Sequence, residues 1–260
     1  MSFAGLFALA VDAVSVHAVG QEQGLWVKRR RAGMGAVIAI GNVFLYQSRS
    51  RIRMFSSCAR WQERELASFK LLHPGRFAEP RGKGAVALEA LPGEGLDQLA
   101  TRGEFTPEVA EAAARELRRA HALVYPGTAE PWSHGDAHLK NFLYEAAGAR
   151  AWLIDFETRH EAHLAPEARH ADDLLVFLLD LAGRVPRAEE LSRAFLRAYA
   201  RENVLRALLA RLRPPRGLER ALWRSRSGHL PQARLLGWLE HLREDVIRLT
   251  QSPEPPVDAG

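Results

Sequence analysis

The chain has one cysteine in 260 residues, Cys58. A single thiol excludes an internal disulfide framework and fits a reducing, cytoplasmic setting. There is no HExxH helix, because position 164 is Leu where the second histidine after His160-Glu161 would stand. There is no G-x-S-x-G nucleophile elbow. Gly82-Lys83 has no glycine five residues before Gly82, so there is no P-loop. Gly33-Met34-Gly35 lacks the third glycine of a dinucleotide fingerprint. No internal repeat is visible. No aromatic-basic interleaving supports a nucleic-acid module, so no nucleic-acid partner is expected. The longest apolar stretch, Gly33 to Tyr46, is too short and too glycine-broken to span a membrane. The apolar first twenty residues lack a basic start and carry Asp12, so they are not read as a signal peptide.

What is present fits a packed globular protein. Hydrophobic residues make up 47% and charged residues 26% of the chain, which excludes wholesale disorder. The length suits one large domain or two small lobes sharing a cleft. The formal net charge is +5, carried mainly by arginine. That balance favours anionic partners such as nucleotides or phospholipid head groups, or it reflects solvated helix faces.

The first half reads as mixed and strand-rich. Val14–Val19 and Leu25–Arg29 flank the turn-like Gly20 to Gly24 and predict a hairpin. The run from Gly33 to Tyr46, followed by Arg49, Arg51 and Arg53, is expected to be a core hairpin with a basic turn. Its alternative is a segment lying in a membrane interface. Ser56 to Leu72 turns helical, and Val86 to Leu91 reads as a strand ending at Pro92-Gly93.

The second half is mostly helical. Thr106-Pro107-Glu108 starts a helix expected to reach Val124. Phe142–Glu145 and Ala151–Ile154 predict a hairpin around Gly148. Further helices are expected at Ala171–Leu181, Arg187–Leu212, Leu218–Ser225 and Pro231–Leu249, with residues 252–260 disordered.

The chemistry gathers around that hairpin. Asn141 precedes its first strand, and Asp155 follows its second. A hairpin brings those two positions together across fourteen residues of sequence, and a short loop holds Asp136 nearby. Two adjacent oxygen-bearing side chains suit Mg²⁺ when substrate phosphates supply other ligands. A further carboxylate can orient an attacking hydroxyl and take its proton.

His134-Gly135-Asp136, with Asn141 five residues on, resembles the catalytic loop of the protein-kinase-like phosphotransferases. His138, two residues after Asp136, is more like the aminoglycoside, choline and lipopolysaccharide kinase branches. Leu153-Ile154-Asp155-Phe156-Glu157 resembles their metal-binding motif. The resemblance implies an α+β fold of two lobes. A small strand-rich lobe would cover residues 1–90 and a helical lobe 91–251. It implies ATP and Mg²⁺ as cofactors. It implies a catalytic group of Asp136, the base, with Lys140 and His134, and Asn141 and Asp155 as metal ligands. Lys140 would stabilise the transferring phosphoryl group, or it is a solvated loop lysine. His138 is expected to brace the loop, and Asp173 to tie it down or to cap a helix.

On the nucleotide side, Lys28 in Trp26-Val27-Lys28 would pair the α- and β-phosphates, with Glu65, preferred over Glu63, as its helix partner. Glu89-Ala90-Leu91 resembles the hinge that holds adenine through its backbone. The glycine-rich phosphate loop expected between Ala8 and Ser15 is missing. A second register would use Gly33-Met34-Gly35 as that loop and Arg51 or Arg53 as the strand cation.

The implied reaction is transfer of the ATP γ-phosphoryl group to a hydroxyl, with a sugar or glycolipid preferred as acceptor and peripheral membrane contact allowed. An aminoglycoside- or choline-type small-molecule kinase is the alternative acceptor class. Ala165-Pro166-Glu167 lies too close to Asp155 to end a protein-kinase activation loop. A pseudokinase scaffold remains a further class. A zinc hydrolase built from His134, His138, His160, His163 and His170 is the least favoured reading.

Overall fold

The computed structural model describes residues 17–251, except 23 and 229, and shows an α+β protein. β1 (His17–Glu22) and β2 (Leu25–Arg30) form the expected hairpin, and Glu22 pairs with Leu25. The turn is shorter than Gly20 to Gly24, because β1 continues through those first residues. Val14 to Val16, the region of the missing glycine-rich loop and residues 252–260 lie outside the described residues. β2 also pairs antiparallel with β5 (Ala85–Glu89), which pairs with β4 (Ala78–Pro80). The resulting sheet has the order β1-β2-β5-β4. Alternation along β2 turns Lys28 and Arg30 to its buried face, while Arg29 stays exposed.

The stretch after β2 corrects the sequence expectation. It is a helix, α1 (Met34–Gln47), rather than a hairpin. Its glycines do not break it. A Cβ on Gly35 would stand 2.9 Å from the Ser56 carbonyl oxygen, so glycine permits close packing there. Met34 and Ile38 are buried, and Asn42 exchanges two 2.8 Å hydrogen bonds with the Met54 backbone. That is an i, i+4, i+8 pattern, the period of a helix.

A short strand, β3 (Ile52–Met54), follows and pairs antiparallel with β9 (Thr158–His160). α2 (Cys58–Leu72) then buries Trp61, Glu65, Phe69 and Leu72 along one face. Burial of each large apolar side chain contributes roughly 1.5–3 kcal/mol.

Beyond β6 (Glu94–Gly95) and α3 (Leu96–Arg102) the chain is largely helical. α4 (Pro107–Ala120) begins at Thr106-Pro107, as its capping sequence predicts. It stops short of Val124: past His121 the N–H groups of Ala122 and Leu123 bond the carbonyls three residues back, and the His121 side chain contacts Tyr199 and Asp173. β7 (Phe142–Glu145) and β8 (Arg150–Leu153) form the predicted hairpin, with Phe142 opposite Leu153.

α5 (Pro166–Arg184) is buried at every position from Arg169 to Ala182, so it serves as the central post. The single helix expected from 187 to 212 is two helices, α6 (Ala188–Tyr199) and α7 (Glu202–Arg211). Ala200 breaks them with a left-handed φ of 43°, and Tyr199 is drawn to His121 beside the break. α8 (Leu218–Arg226) and α9 (Gln232–Gln251) complete the described chain. None of these helices is long and apolar enough to cross a membrane.

Candidate active site

Lys28 emerges from the buried face of β2 and meets two carboxylates. Its Nζ is 2.7 Å from Glu65 Oε1 and 2.8 Å from Asp155 Oδ1. Burial works against the ammonium, but Asp155 and Glu65 outweigh it and raise its pKa above the ordinary lysine value. Glu65 also holds the backbone: its other oxygen accepts the Phe156 N–H at 2.9 Å. The α2 carboxylate thus fixes both the strand lysine and the Leu153-to-Glu157 segment. Glu63 is exposed on the opposite side of α2.

Asp155 sits in the left-handed region with φ 66°. For a non-glycine residue that conformation costs of order 1–3 kcal/mol. It is held from both sides. The Ile154 N–H donates to the Asn141 carbonyl at 2.9 Å, and the Phe156 N–H to Glu65. Burial raises the Asp155 pKa and Lys28 lowers it, with a net depression.

The Ser133-to-Asn141 loop is anchored from below by α5. Asp173 accepts the backbone N–H of His134 at 2.8 Å and of Gly135 at 2.7 Å. It lies in mid-helix, so it ties the loop down and does not cap a helix. Its own charge is supported by His121 Nε2 at 3.0 Å. Asp180, about two turns further along the same face, accepts the Leu139 N–H at 3.0 Å. From the other side Arg64 donates to the Ser133 carbonyl at 2.9 Å.

Within the loop, Asn141 Nδ2 donates to the Asp136 carbonyl at 2.6 Å. This leaves the Asn141 amide oxygen available as a ligand. His138 Nε2 is 3.0 Å from Asp136 Oδ1, and its Nδ1 is 3.5 Å from Asp180 Oδ2. Burial disfavours the imidazolium, but the two carboxylates win and raise His138 to about 9. Burial likewise raises the Asp136 pKa, and the His138 cation outweighs it, leaving Asp136 well below the usual carboxylate range. Lys140 is exposed, and Asp136 beside it raises its pKa.

His134 differs from its expected role. It is fully buried, its Nε2 meets the Ile154 carbonyl at 3.0 Å, and its Nδ1 accepts the Asp136 N–H at 3.3 Å. Burial depresses its pKa and keeps the ring neutral. With both nitrogens occupied, it is a positioning residue and cannot act as an acid or base on a substrate.

Glu89 and Leu91 lie at the end of the sheet. Glu89 pairs through its N–H with the Phe77 carbonyl at 2.8 Å and through its side chain with Arg76. Leu91 is buried just past β5. The alternative register is not supported. Gly35 lies in α1, Arg53 pairs with Glu161, and Arg51 stacks over Tyr46.

The histidines do not assemble. His160 contacts Ser133 and Asp172, His163 contacts Arg51, and His170 contacts the Trp132 carbonyl. Among the described residues, no group of three or more His, Cys, Asp or Glu side chains could hold a metal ion. The 2.9 Å bond from the Ile154 N–H to the Asn141 carbonyl keeps Asn141 and Asp155 close across the hairpin, where each could offer a side-chain oxygen to a cation. That suits a hard cation taking its remaining ligands from phosphates and water.

Sequence reasoning missed Asp180, His121 and Arg64. His121 and Arg64 sit in ordinary helical patterns far from the motifs, and Asp180 is one acid in an apolar helix. No family model and no curated relative matches the chain.

Proposed function

We propose that this chain is an ATP- and Mg²⁺-dependent phosphotransferase of two-lobe, protein-kinase-like architecture. The observation that carries the reading is Lys28 held between Glu65 and Asp155, beside a tethered loop that presents Asp136 and Asn141. Phosphoryl transfer requires of a protein mainly positioning and charge neutralisation. Lys28 would hold the α- and β-phosphates. Asn141 and Asp155 fit Mg²⁺, which when bound supplies charge neutralisation at the phosphate oxygens. The backbone at the end of β5, from Glu89 to Leu91, would hold adenine, with the Leu91 N–H as donor because those of Glu89 and Ala90 are already bonded to the Phe77 and Gly24 carbonyls.

Asp136 accepts a hydrogen bond from the acceptor hydroxyl and aims its oxygen at the γ-phosphorus. A strongly depressed pKa makes it a weak base. It therefore takes the proton late, as the O–P bond forms and the bond to ADP breaks. Lys140 faces the same space and would neutralise the transferring group.

The favoured acceptor is the hydroxyl of a sugar or glycolipid. Supporting it are the arginines at 49, 51 and 53 and the apolar α1 beside them. The test is transfer from labelled ATP to sugar, lipid and protein acceptors, with wild type and Asp136→Asn side by side. Labelling of a hydroxyl acceptor by wild type alone is expected. Equal activity, or equal inertness, of the two proteins overturns the reading.

A further inference from the structure

α1 is unusual in what it leaves uncovered. Its sequence, MGAVIAIGNVFLYQ, contains no charged residue. Met34, Ile38 and Asn42 attach it to the rest of the protein. The opposite side exposes Val37, Ile40, Val43 and Tyr46, with Ile40 64% exposed. These four are half of the eight large exposed hydrophobics among the described residues. Contiguous exposed apolar side chains mark an interaction site, whereas scattered ones do not.

The segments that flank this helix in the chain are basic. Arg29 and Arg31 precede the helix and Arg49 follows it, and all three are exposed. None of the three guanidinium groups is in an ion pair among the described residues, although the Arg49 backbone N–H donates to Glu219 at 3.1 Å. Arg51 stacks its guanidinium 5.4 Å from the Tyr46 ring centroid, at the edge of the apolar strip. At 14 residues the helix is about 21 Å long, too short to span a bilayer. An uncharged, apolar helix bordered by arginines fits the boundary between acyl chains and anionic head groups.

The location connects this face to the candidate site. α1 leads into β3, which pairs with β9 at Ile52–His160 and Met54–Thr158. β9 directly follows Asp155-Phe156-Glu157.

We propose that the Val37–Ile40–Val43–Tyr46 face of α1 docks on an anionic phospholipid surface, with Arg29, Arg31 and Arg49 against the head groups. Docking would present the Asp136 loop to a hydroxyl carried by a bilayer-resident glycolipid. That last step rests on the phosphotransferase reading, while the docking itself stands on the helix and its arginines.

The test is co-sedimentation of the full chain with vesicles of phosphatidylcholine, with and without phosphatidylglycerol. Wild type is expected to pellet with the anionic vesicles and to be released by salt. Ile40→Gln with Val43→Gln, both exposed, should lower the partition at least about tenfold with an unchanged melting temperature. Wild type left in the supernatant overturns the proposal, as does equal binding to neutral vesicles or wild-type binding by the double variant. So does a wild-type dimer in solution that the double variant dissolves, which would assign the face to a second copy. ATP–Mg²⁺ thermal stabilisation is read on the same preparation. If stabilisation persists without vesicle binding, only docking fails. If vesicle binding persists without stabilisation, only the phosphotransferase reading fails.

Discussion

Lys28 and Asp155 lie 127 residues apart in sequence, yet Lys28 Nζ stands 2.8 Å from Asp155 Oδ1. Glu65 completes the contact, so one ammonium bridges two carboxylates. Breaking a buried pair strands the remaining charge, which typically costs about 3–5 kcal/mol. Lys28→Met should therefore destabilise the fold by about 3 kcal/mol in denaturant unfolding. The double change Lys28→Met with Glu65→Gln should recover part of that loss. Strict additivity in the cycle would show that the pair is not coupled.

The Asp136–His138 contact predicts a pH signature. The folded His138 pKa is raised from 6.5 to about 9. Its contribution is fully present below pH 6.5 and is lost as the pH rises through about 9. The size of the raise caps that contribution at about 3 kcal/mol. His138→Gln removes the titration, so its stability should fall less than that of wild type between pH 6.5 and 9. Loss of the cation also raises the Asp136 pKa, so the acid limb of kcat/KM should move upward. Parallel stability curves for the two proteins would refute the pairing.

Gly135 has a φ of +84°, and an added Cβ would stand 2.8 Å from Thr158 Oγ1. That oxygen donates to the His134 carbonyl at 2.9 Å and cannot retreat freely. Gly135→Ala should cost about 2–3 kcal/mol and reduce phosphotransfer further by shifting Asp136. Gly127→Ala is the control. Its φ is +75° with nothing within 4 Å of the added carbon, so only about 1 kcal/mol of backbone strain is expected. Equal melting shifts for the two variants would exclude the steric cause.

Lys140 is exposed and bridges no buried partner among the described residues. Lys140→Met should leave the melting temperature within about 1 °C of wild type, as for other exposed substitutions. It should lower kcat about 10²-fold if the lysine meets the transferring phosphoryl group. An unchanged kcat would make it a solvated loop lysine.

Local signals in the sequence were legible where chemistry and backbone agreed. The Phe142-to-Leu153 hairpin predicted that Asn141 and Asp155 adjoin, and the Asn141 carbonyl is bonded to the Ile154 N–H, one residue before Asp155, at 2.9 Å. Thr106-Pro107 marked the start of α4. The family resemblance singled out Lys28 and Glu65, and alternation along β2 is compatible with the buried position of Lys28. Legibility failed for α1, where glycines read as breaks turned out to permit close packing against Ser56. It failed at Ala200, whose left-handed backbone no local residue announces.

The sequence by itself determined the loop and hairpin that carry Asp136, Asn141 and Asp155, because turn chemistry and period-two pairing act over a few residues. Only the tertiary structure decided what holds them. Asp180 and Arg64 reach the loop from distant elements, His121 supports the Asp173 that tethers it, and burial sets their hydrogen bonds. It also decided that His134 braces the loop and that α1 keeps one apolar face uncovered. Such roles depend on which groups lose water on folding, and spacing along a chain does not encode that.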